Sequence, residues 1–288
     1  MKTLVISAVL TASAALPAGA GTLTNSTGSG LSGDGMNLTV STGIAGFAYT
    51  DSSGTWKGFD IDFCRATAAA VVGDADKFST VKSTGKTRFT LLNAGEGDVL
   101  WRNTTITFSR DVGVKLRFHG VNYYDGQGFM VKKKLGVKSA LELDGATVCV
   151  QTGSTTELNL ADYFRSNNME FQAIITEDAA ESRLNFEKGA CDVYTTDASQ
   201  MAAQRSAMQD PNAFMILPEI ISKEPLGPVV RHGDNQWGDI VQWTLNALIV
   251  AEELGVTQKN VDDLAKNAKV PEVRRLLGLE GSLGSKFG

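Results

Sequence analysis

From Met36 onward the chain alternates short apolar runs with stretches of helical spacing. "MNLTVST" reads as a strand, and "FDIDFCRATAAAVVG" sets Phe59, Phe63, Ala66 and Ala70 near a helical repeat that Gly73 stops. "FSTVKS" follows as a strand, "KTRFTLLNAG" as a short helix and "GDVLW" as the next strand, a β-α-β-α-β order that predicts an α/β fold. After "GQGFMVKKKLG" the same grammar restarts. Helix-like "SALELDG" leads to strand "ATVCVQ", helix "TTELNLADYFRSNN", strand "FQAIIT", helix "AAESRLNFEKGA" and strand "CDVYTTD", with "DASQMAAQRSAM" and "FMILPEII" continuing it. Two similar units in succession predict two lobes rather than one long sheet. The tail is helical; Thr257 and Asn260 are placed to cap and Pro271 suits a first helical position.

The first twenty residues, "MKTLVISAVLTASAALPAGA", carry one lysine, an apolar stretch from Leu4 to Leu16 and an Ala-Gly-Ala cleavage pattern. This is the form of a secretory signal peptide, so residues 1–20 are expected to be removed and the protein exported as a soluble chain starting near Gly21. No later segment offers eighteen consecutive apolar residues for a membrane span. Residues 21–35 are rich in Gly, Ser and Thr and are expected to form a flexible leader. Their G-x-G-x-x-G at Gly28, Gly30 and Gly33 follows no strand and opens no helix, which a dinucleotide site requires. Without Lys2, the 27 basic and 32 acidic residues become 26 against 32, a formal charge of −6. That balance argues against a nucleic-acid partner. Three cysteines, Cys64, Cys149 and Cys191, allow one disulfide and leave one thiol over.

Catalytic and metal chemistry find little support. His119 and His232 lack a second histidine at metal spacing, so packing or surface roles are expected and neither metal nor cofactor is. No G-x-S-x-G, H-E-x-x-H or Walker A sequence occurs. Asp60 with Asp62 and Asp262 with Asp263 read as ordinary acidic pairs. Polar material instead collects where predicted strands end, in both lobes. "RNTTITFSR" follows one strand and closes on Arg110, whose fixed fork of donors suits a carboxylate. "QTGSTTE" opens a helix, where hydroxyls and free N–H groups favour an anion. "CDVYTTD" ends at Asp197, an acceptor for an ammonium. An arginine and a helix start for a carboxylate, with an aspartate for a cation, describe a zwitterion such as a free amino acid.

Several long blocks carry a family resemblance: "GFDIDFCRATAAAV", "RNTTITFSRD", "GVNYYDGQGFMVKK", "LDGATVCVQTGSTTELNLADYF", "CDVYTTD", "LPEIISKEPLGPVVRHGDNQW" and "WTLNALIVAEELGVT". Across about residues 36 to 278 the chain closely resembles the general L-amino-acid-binding proteins of Gram-negative ABC importers, within the family 3 solute-binding proteins. The resemblance implies a two-lobed, type II periplasmic-binding-protein fold with two crossover strands at the hinge, near residues 129–131 and 224–227. Lobe one would comprise residues 36–130 and 227–288, and lobe two residues 131–226. It further implies a periplasmic, non-catalytic monomer that encloses a free L-amino acid between the lobes and delivers it to inner-membrane permease subunits.

By the family's motif, Arg110 clamps the α-carboxylate, Asn103 and Thr105 add backbone and hydroxyl contacts, and Phe47 forms an aromatic wall. Thr155, with Ser154 beside it, holds the carboxylate from lobe two, and Asp197 accepts the α-ammonium. Tyr124 and Gln127 are placed near the side-chain pocket by position alone.

Three residues depart from the family. Leu38 stands where relatives carry a first-strand cysteine, which leaves Cys64 free and Cys149 to pair with Cys191. Trp101 replaces a small residue next to the binding segment, an expected source of crowding. Gly97 replaces an apolar strand residue at an expected cost of roughly 1 kcal/mol. A ligand-sensing module for a membrane receptor and an amino-acid-processing enzyme of similar architecture are the alternatives. The first would use the same pocket, and the second needs a general base near the ligand Cα that the sequence does not supply.

Overall fold

The computed structural model describes residues 36–41 and 43–282. The expected signal peptide and leader, with the glycine fingerprint, lie outside the described residues. The first α/β body runs from β1 (Met36–Ser41) through the hairpin β2 (Tyr49–Thr50) and β3 (Trp56–Lys57) to α1 (Phe59–Val72) and β4 (Phe78–Ser83). It continues through α2 (Arg88–Asn93), β5 (Val99–Leu100), α3 (Phe108–Gly113) and β6 (Leu116–Phe118). Strand β7 (Tyr123–Asp125) then leads to the second body. That body contains β8 (Gln127–Lys132), β9 (Ala146–Gln151), α4 (Thr155–Ser166), β10 (Phe171–Thr176), α5 (Ala179–Lys188), β11 (Val193–Asp197), α6 (Ala198–Ser206) and β12 (Phe214–Ile216). Strand β13 (Glu224–Leu226) returns the chain to the first body, where β14 (Val229–Arg231), α7 (Asn235–Glu253), α8 (Val261–Asn267) and α9 (Pro271–Leu276) complete it.

Each body is built on a five-stranded sheet, in the order β4-β1-β5-β14-β6 for the first and β10-β9-β11-β8-β12 for the second. In each, four strands run in one direction and a single strand, β14 in the first and β8 in the second, runs against both of its neighbours. Parallel neighbours joined through helices leave the carboxyl ends of several strands at one edge, where ligands of open α/β sheets bind. The first core packs Leu38 and Val40 of β1 against Ile61, Phe63 and Cys64 of α1 and Val241 and Leu245 of α7. The second packs Phe129 and Val131 of β8 and Val148 and Val150 of β9 against Leu160 and Phe164 of α4. The opposite face of that sheet buries Cys149 and Cys191 with Phe186, Tyr194 and Met201.

Several sequence expectations meet a different local physics. The first crossing, expected at residues 129–131, falls inside β8, which already pairs with β11 from Gln127 opposite Asp197. The strands lying between the two sheets in the chain are β7 and β13, and they pair with each other, Glu224 opposite Asp125. "SALELDG" forms only a 3-10 turn over Ala140–Glu142, closed by a reciprocal Ser139 and Glu142 cap. "GDVLW" keeps only Val99–Leu100 as strand. Asn260 occupies the cap position of α8, but its side chain accepts from the Thr257 N–H at 2.7 Å instead of capping the helix.

The departures also resolve. Trp101 crowds nothing: fully buried, it stacks on Phe63 at 4.6 Å and donates its indole N–H to the Thr67 hydroxyl at 3.0 Å. Gly97 leaves its space to Thr39: a Cβ there would sit 2.0 Å from the Thr39 hydroxyl, which would have to turn away. Cys64 is a buried free thiol, and Cys149 is bonded to Cys191. His119 is half-buried, while the His232 ring bonds the Leu116 carbonyl at 2.7 Å, both packing roles.

Candidate functional site

Segments following β5, β9 and β11 converge on one polar cavity of about 320 Å³, open solvent at its mouth included. The first body contributes Gly85, Arg88, Arg102, Asn103 and Thr105. From the second come Gln151, Ser154, Thr155 and Thr156, then Thr196, Asp197 and Gln200. Across the cavity, Asn103 Nδ2 donates to Gln200 Oε1 at 3.3 Å and the Thr105 and Thr155 hydroxyls lie 3.4 Å apart. At its rim the two walls meet backbone to backbone. A Cβ on Gly85 would approach the Thr152 carbonyl oxygen to 2.9 Å, and one on Gly153 would lie 2.8 Å from the Lys86 Cα.

Local sequence sets each group in place. Thr107 caps α3 by accepting from the Arg110 N–H, which starts the helix so that the guanidinium turns back and donates through Nη1 to the Thr105 carbonyl at 3.0 Å. Arg110 is buried, lies over the Phe89 ring, and has no carboxylate within ion-pair distance among the described residues. Desolvation holds its pKa below the ordinary arginine range, opposed by the fields of Glu224 and Asp197. Ser154 caps α4 by accepting from the Glu157 N–H and donates its own hydroxyl to the Gln151 carbonyl at 2.6 Å. Thr155, at the first helical position, donates to Glu224 Oε2 at 3.0 Å.

Asp197 ends β11 and begins α6 without capping it. It too is buried with no ion-pair partner among the described residues. Burial first, and then the nearby Asp125 and Glu224 carboxylates, push its carboxyl up to about 8, against the pull of Arg88 and Arg110.

The structure thus brings Asn103, Thr105, Ser154, Thr155 and Asp197 together around the cavity, with Arg110 packed against Thr105 just behind its wall. Gln127 is fully buried beside it, its Nε2 donating to the Thr156 carbonyl and the Thr195 hydroxyl while Oε1 has no partner. Phe47 belongs instead to an apolar cluster with Ile44 and Leu226, edge-on to Phe59 and Tyr123. Tyr124 is not brought to the cavity at all. It is 81% exposed on β7, because alternation along that strand turns Tyr123 inward.

Sequence reasoning missed Arg88, Arg102, Gln200 and Glu224. Arg102 had a signal, a cation directly after a buried strand end; Arg88 sat inside a short helix pattern with no such mark. Glu224 is buried on β13 and accepts from Thr155, Asn159 and Ser222 at 2.6–3.0 Å.

Comparison with known proteins agrees with this layout. The model of the bacterial extracellular solute-binding proteins, family 3, matches residues 36–260. A glutamate/glutamine/aspartate/asparagine-binding protein, BztA of Rhodobacter capsulatus, is 58% identical over 85% of this chain and 73% of its own length. The general L-amino acid-binding periplasmic protein AapJ of Rhizobium johnstonii is 52% identical over 97% of this chain and 82% of its own. A solved ABC transporter periplasmic binding protein of Brucella ovis, with glutathione bound, superposes with a TM-score of 0.84 at 49% identity, covering 88% of this chain and 80% of that one. The chain belongs to the bacterial extracellular solute-binding proteins, family 3.

Proposed function

We propose that this protein is a periplasmic receptor that captures a free L-amino acid between its two α/β bodies and delivers it to an ABC permease. One observation carries the reading: a buried arginine and a buried aspartate, each without an ion-pair partner among the described residues, sit by opposite walls of one polar cavity. A zwitterion supplies both partners. Arg110 takes the α-carboxylate in a bidentate pair, joined by Thr105 and the N-terminus of α4 at Thr155, and Asp197 takes the α-ammonium. Asn103 adds a polar contact from the first body. Gln127 and Ser154 hold the surrounding backbone, and Phe47 braces the β7 and β13 side of the site.

The chain acts by hinge closure. Lobe one is the sheet of β1, β4, β5, β6 and β14, with α1–α3 and α7–α9; lobe two is the sheet of β8–β12 with α4–α6; β7 and β13 are the two crossover strands of a type II fold. Residues 1–20 direct export and are removed near Gly21. The names of the relatives, which bind acidic, amide or general L-amino acids, support an amino-acid ligand.

Calorimetry against the twenty L-amino acids, a set of D-enantiomers and glutathione tests this. Several L-amino acids should bind with one-to-one stoichiometry. Arg110→Ala should weaken all of them together by about 2 to 5 kcal/mol, because the loss falls on the group they share. Absence of amino-acid binding, or near-native affinity in a folded Arg110→Ala protein, overturns the reading.

A further inference from the structure

Four α-helices among the described residues start on the side chain of their own N-cap residue: Thr107 for α3, Ser154 for α4, Asp178 for α5 and Asp234 for α7. Helix α6 has such a residue and leaves it unused. Asp197 occupies the position from which Asp178 and Asp234 each accept a backbone N–H of their own helix, yet its carboxylate makes no capping bond. The cap comes from outside. Asp125, the last residue of β7, accepts from the Ser199 N–H at 3.3 Å through Oδ1 and from the Ser199 hydroxyl through Oδ2. Its own neighbour steadies it, since the Gly126 N–H donates to the same Oδ1 at 2.9 Å. The Gly126 carbonyl then takes the Ala198 N–H at 2.8 Å. The first two N–H groups of α6 are thus both met by the end of β7 and the residue after it.

We propose that Asp125 is a positioning residue: by capping α6 in place of Asp197, it leaves the Asp197 carboxylate free for the α-ammonium of the ligand. The proposal rests on the amino-acid reading above. An aspartate at an N-cap ordinarily accepts the N–H two or three residues ahead, because the first N–H groups of a helix have no partner within it. With Ser199 served by Asp125, Asp197 instead lines the cavity, 6% exposed and without an ion-pair partner among the described residues. Stability alone does not account for this exchange of roles. It sets two carboxylates by one helix start, and the Asp125 charge adds to burial in raising the Asp197 carboxyl. A bound ammonium turns the same arrangement into a favourable one. Asp125 also stands opposite Glu224 of β13, so the group that frees Asp197 belongs to the strands lying between the two sheets.

The test is calorimetric titration of the intact mature protein with L-glutamate, L-glutamine and L-leucine, for the wild type, Asp125→Ala, Asp125→Asn and Asp125→Ala combined with Asp197→Asn, with folding checked by circular dichroism. In Asp125→Ala the Asp197 carboxylate is drawn onto the Ser199 or Gln200 N–H, and the ligand must pull it away again. Every ligand that binds the wild type should weaken by about tenfold, the equivalent of a cap of about 1.4 kcal/mol. Asparagine keeps the acceptor and loses the charge, so Asp125→Asn should stay within about threefold of the wild type. Where Asp197 is already asparagine, Asp125→Ala should change affinity by less than about twofold, because its effect passes through that carboxylate. Unchanged affinity in a folded Asp125→Ala protein overturns the proposal. An Asp125→Asn protein as weak as Asp125→Ala also overturns it, by assigning the effect to charge, and a full second loss in the combined variant does so by assigning it to the fold. Asp125→Val, β-branched and so suited to a strand, replaces Asp125→Ala if the latter does not fold, with the same expectations. A wild type that binds none of the three ligands removes the amino-acid reading itself, an outcome distinct from all of these.

Discussion

Replacing Asp197 by asparagine should move ligand affinity and ligand-free stability in opposite directions. In the folded chain its carboxyl is pushed from the ordinary value of 3.8 up to about 8, chiefly by burial and then by Asp125 and Glu224. A carboxyl raised on folding contributes its full share of stability below about pH 4, and loses it as pH rises toward 8. Each pH unit in that window corresponds to about 1.4 kcal/mol, so at pH 7 the position costs the ligand-free fold on the order of 4 kcal/mol. An amide has the same shape and no charge to desolvate. Asp197→Asn should therefore match the wild type in thermal midpoint near pH 4 and exceed it by several degrees at pH 7 to 8.

With ligand the order reverses. The α-ammonium compensates the wild-type carboxylate, whereas the variant loses a charged partner worth about 2 to 5 kcal/mol, a weakening of about thirtyfold to several thousandfold. Asp60, whose carboxyl burial raises to about 7, titrates in both proteins, so the difference between the curves isolates Asp197. Thermal unfolding at half-unit pH intervals, with and without saturating amino acid, reads both effects. Parallel midpoint curves from pH 4 to 8, or undiminished affinity in the variant, would refute the reasoning.

Two further outcomes follow from covalent and steric features outside the charged groups. The Cys149–Cys191 bond closes a separation of 42 residues between neighbouring segments of the second sheet. Its replacement by two serines should lower stability by about 2 to 4 kcal/mol in denaturant titration, and thiol labelling of the native protein should leave buried Cys64 unmodified. A side chain at Gly85 would press on the Thr152 backbone across the rim. Gly85→Val should weaken every ligand by a similar factor while leaving the ligand-free stability within about 1 kcal/mol of wild type; titration calorimetry paired with thermal unfolding checks it, and selective loss of one ligand would contradict it.

Periodicity made most helices readable, because α1, α4 and α5 each bury a face against a sheet and so carry the spacing of that face in their residues. Chemistry at strand ends was readable for a related reason. Asp197 ends β11, Thr155 opens the helix after β9 and Arg110 lies in the first helix after β5, so the sheet that aligns those strands also gathers what comes at their ends. What stayed hidden depends on the second wall. Arg88 is separated by 65 residues from the Gly153 carbonyl it meets, and Glu224 by 69 from Thr155. A single helix turn or a two-residue strand contains no trace of such a partner. Tyr124 shows the converse error: position in the chain brought it near the pocket, and alternation along β7 turned it to solvent.

The same division explains how recognition and closure are coupled. In the proposed site, the residues readable from strand ends meet what all amino acids share, and they lie on both walls. Those visible only in three dimensions either bridge the walls or compensate charge between them. Glu224, on a strand between the two sheets, accepts from Thr155 and Asn159 of the second body while its field supports the arginines of the first. A group in that position experiences both walls at once, so the charge state of the cavity and the relative placement of the walls are thermodynamically linked. A ligand that neutralises Arg110 and Asp197 favours the arrangement in which they are most buried, because burial strengthens their pairing with the ligand and is costly only while they are unpaired.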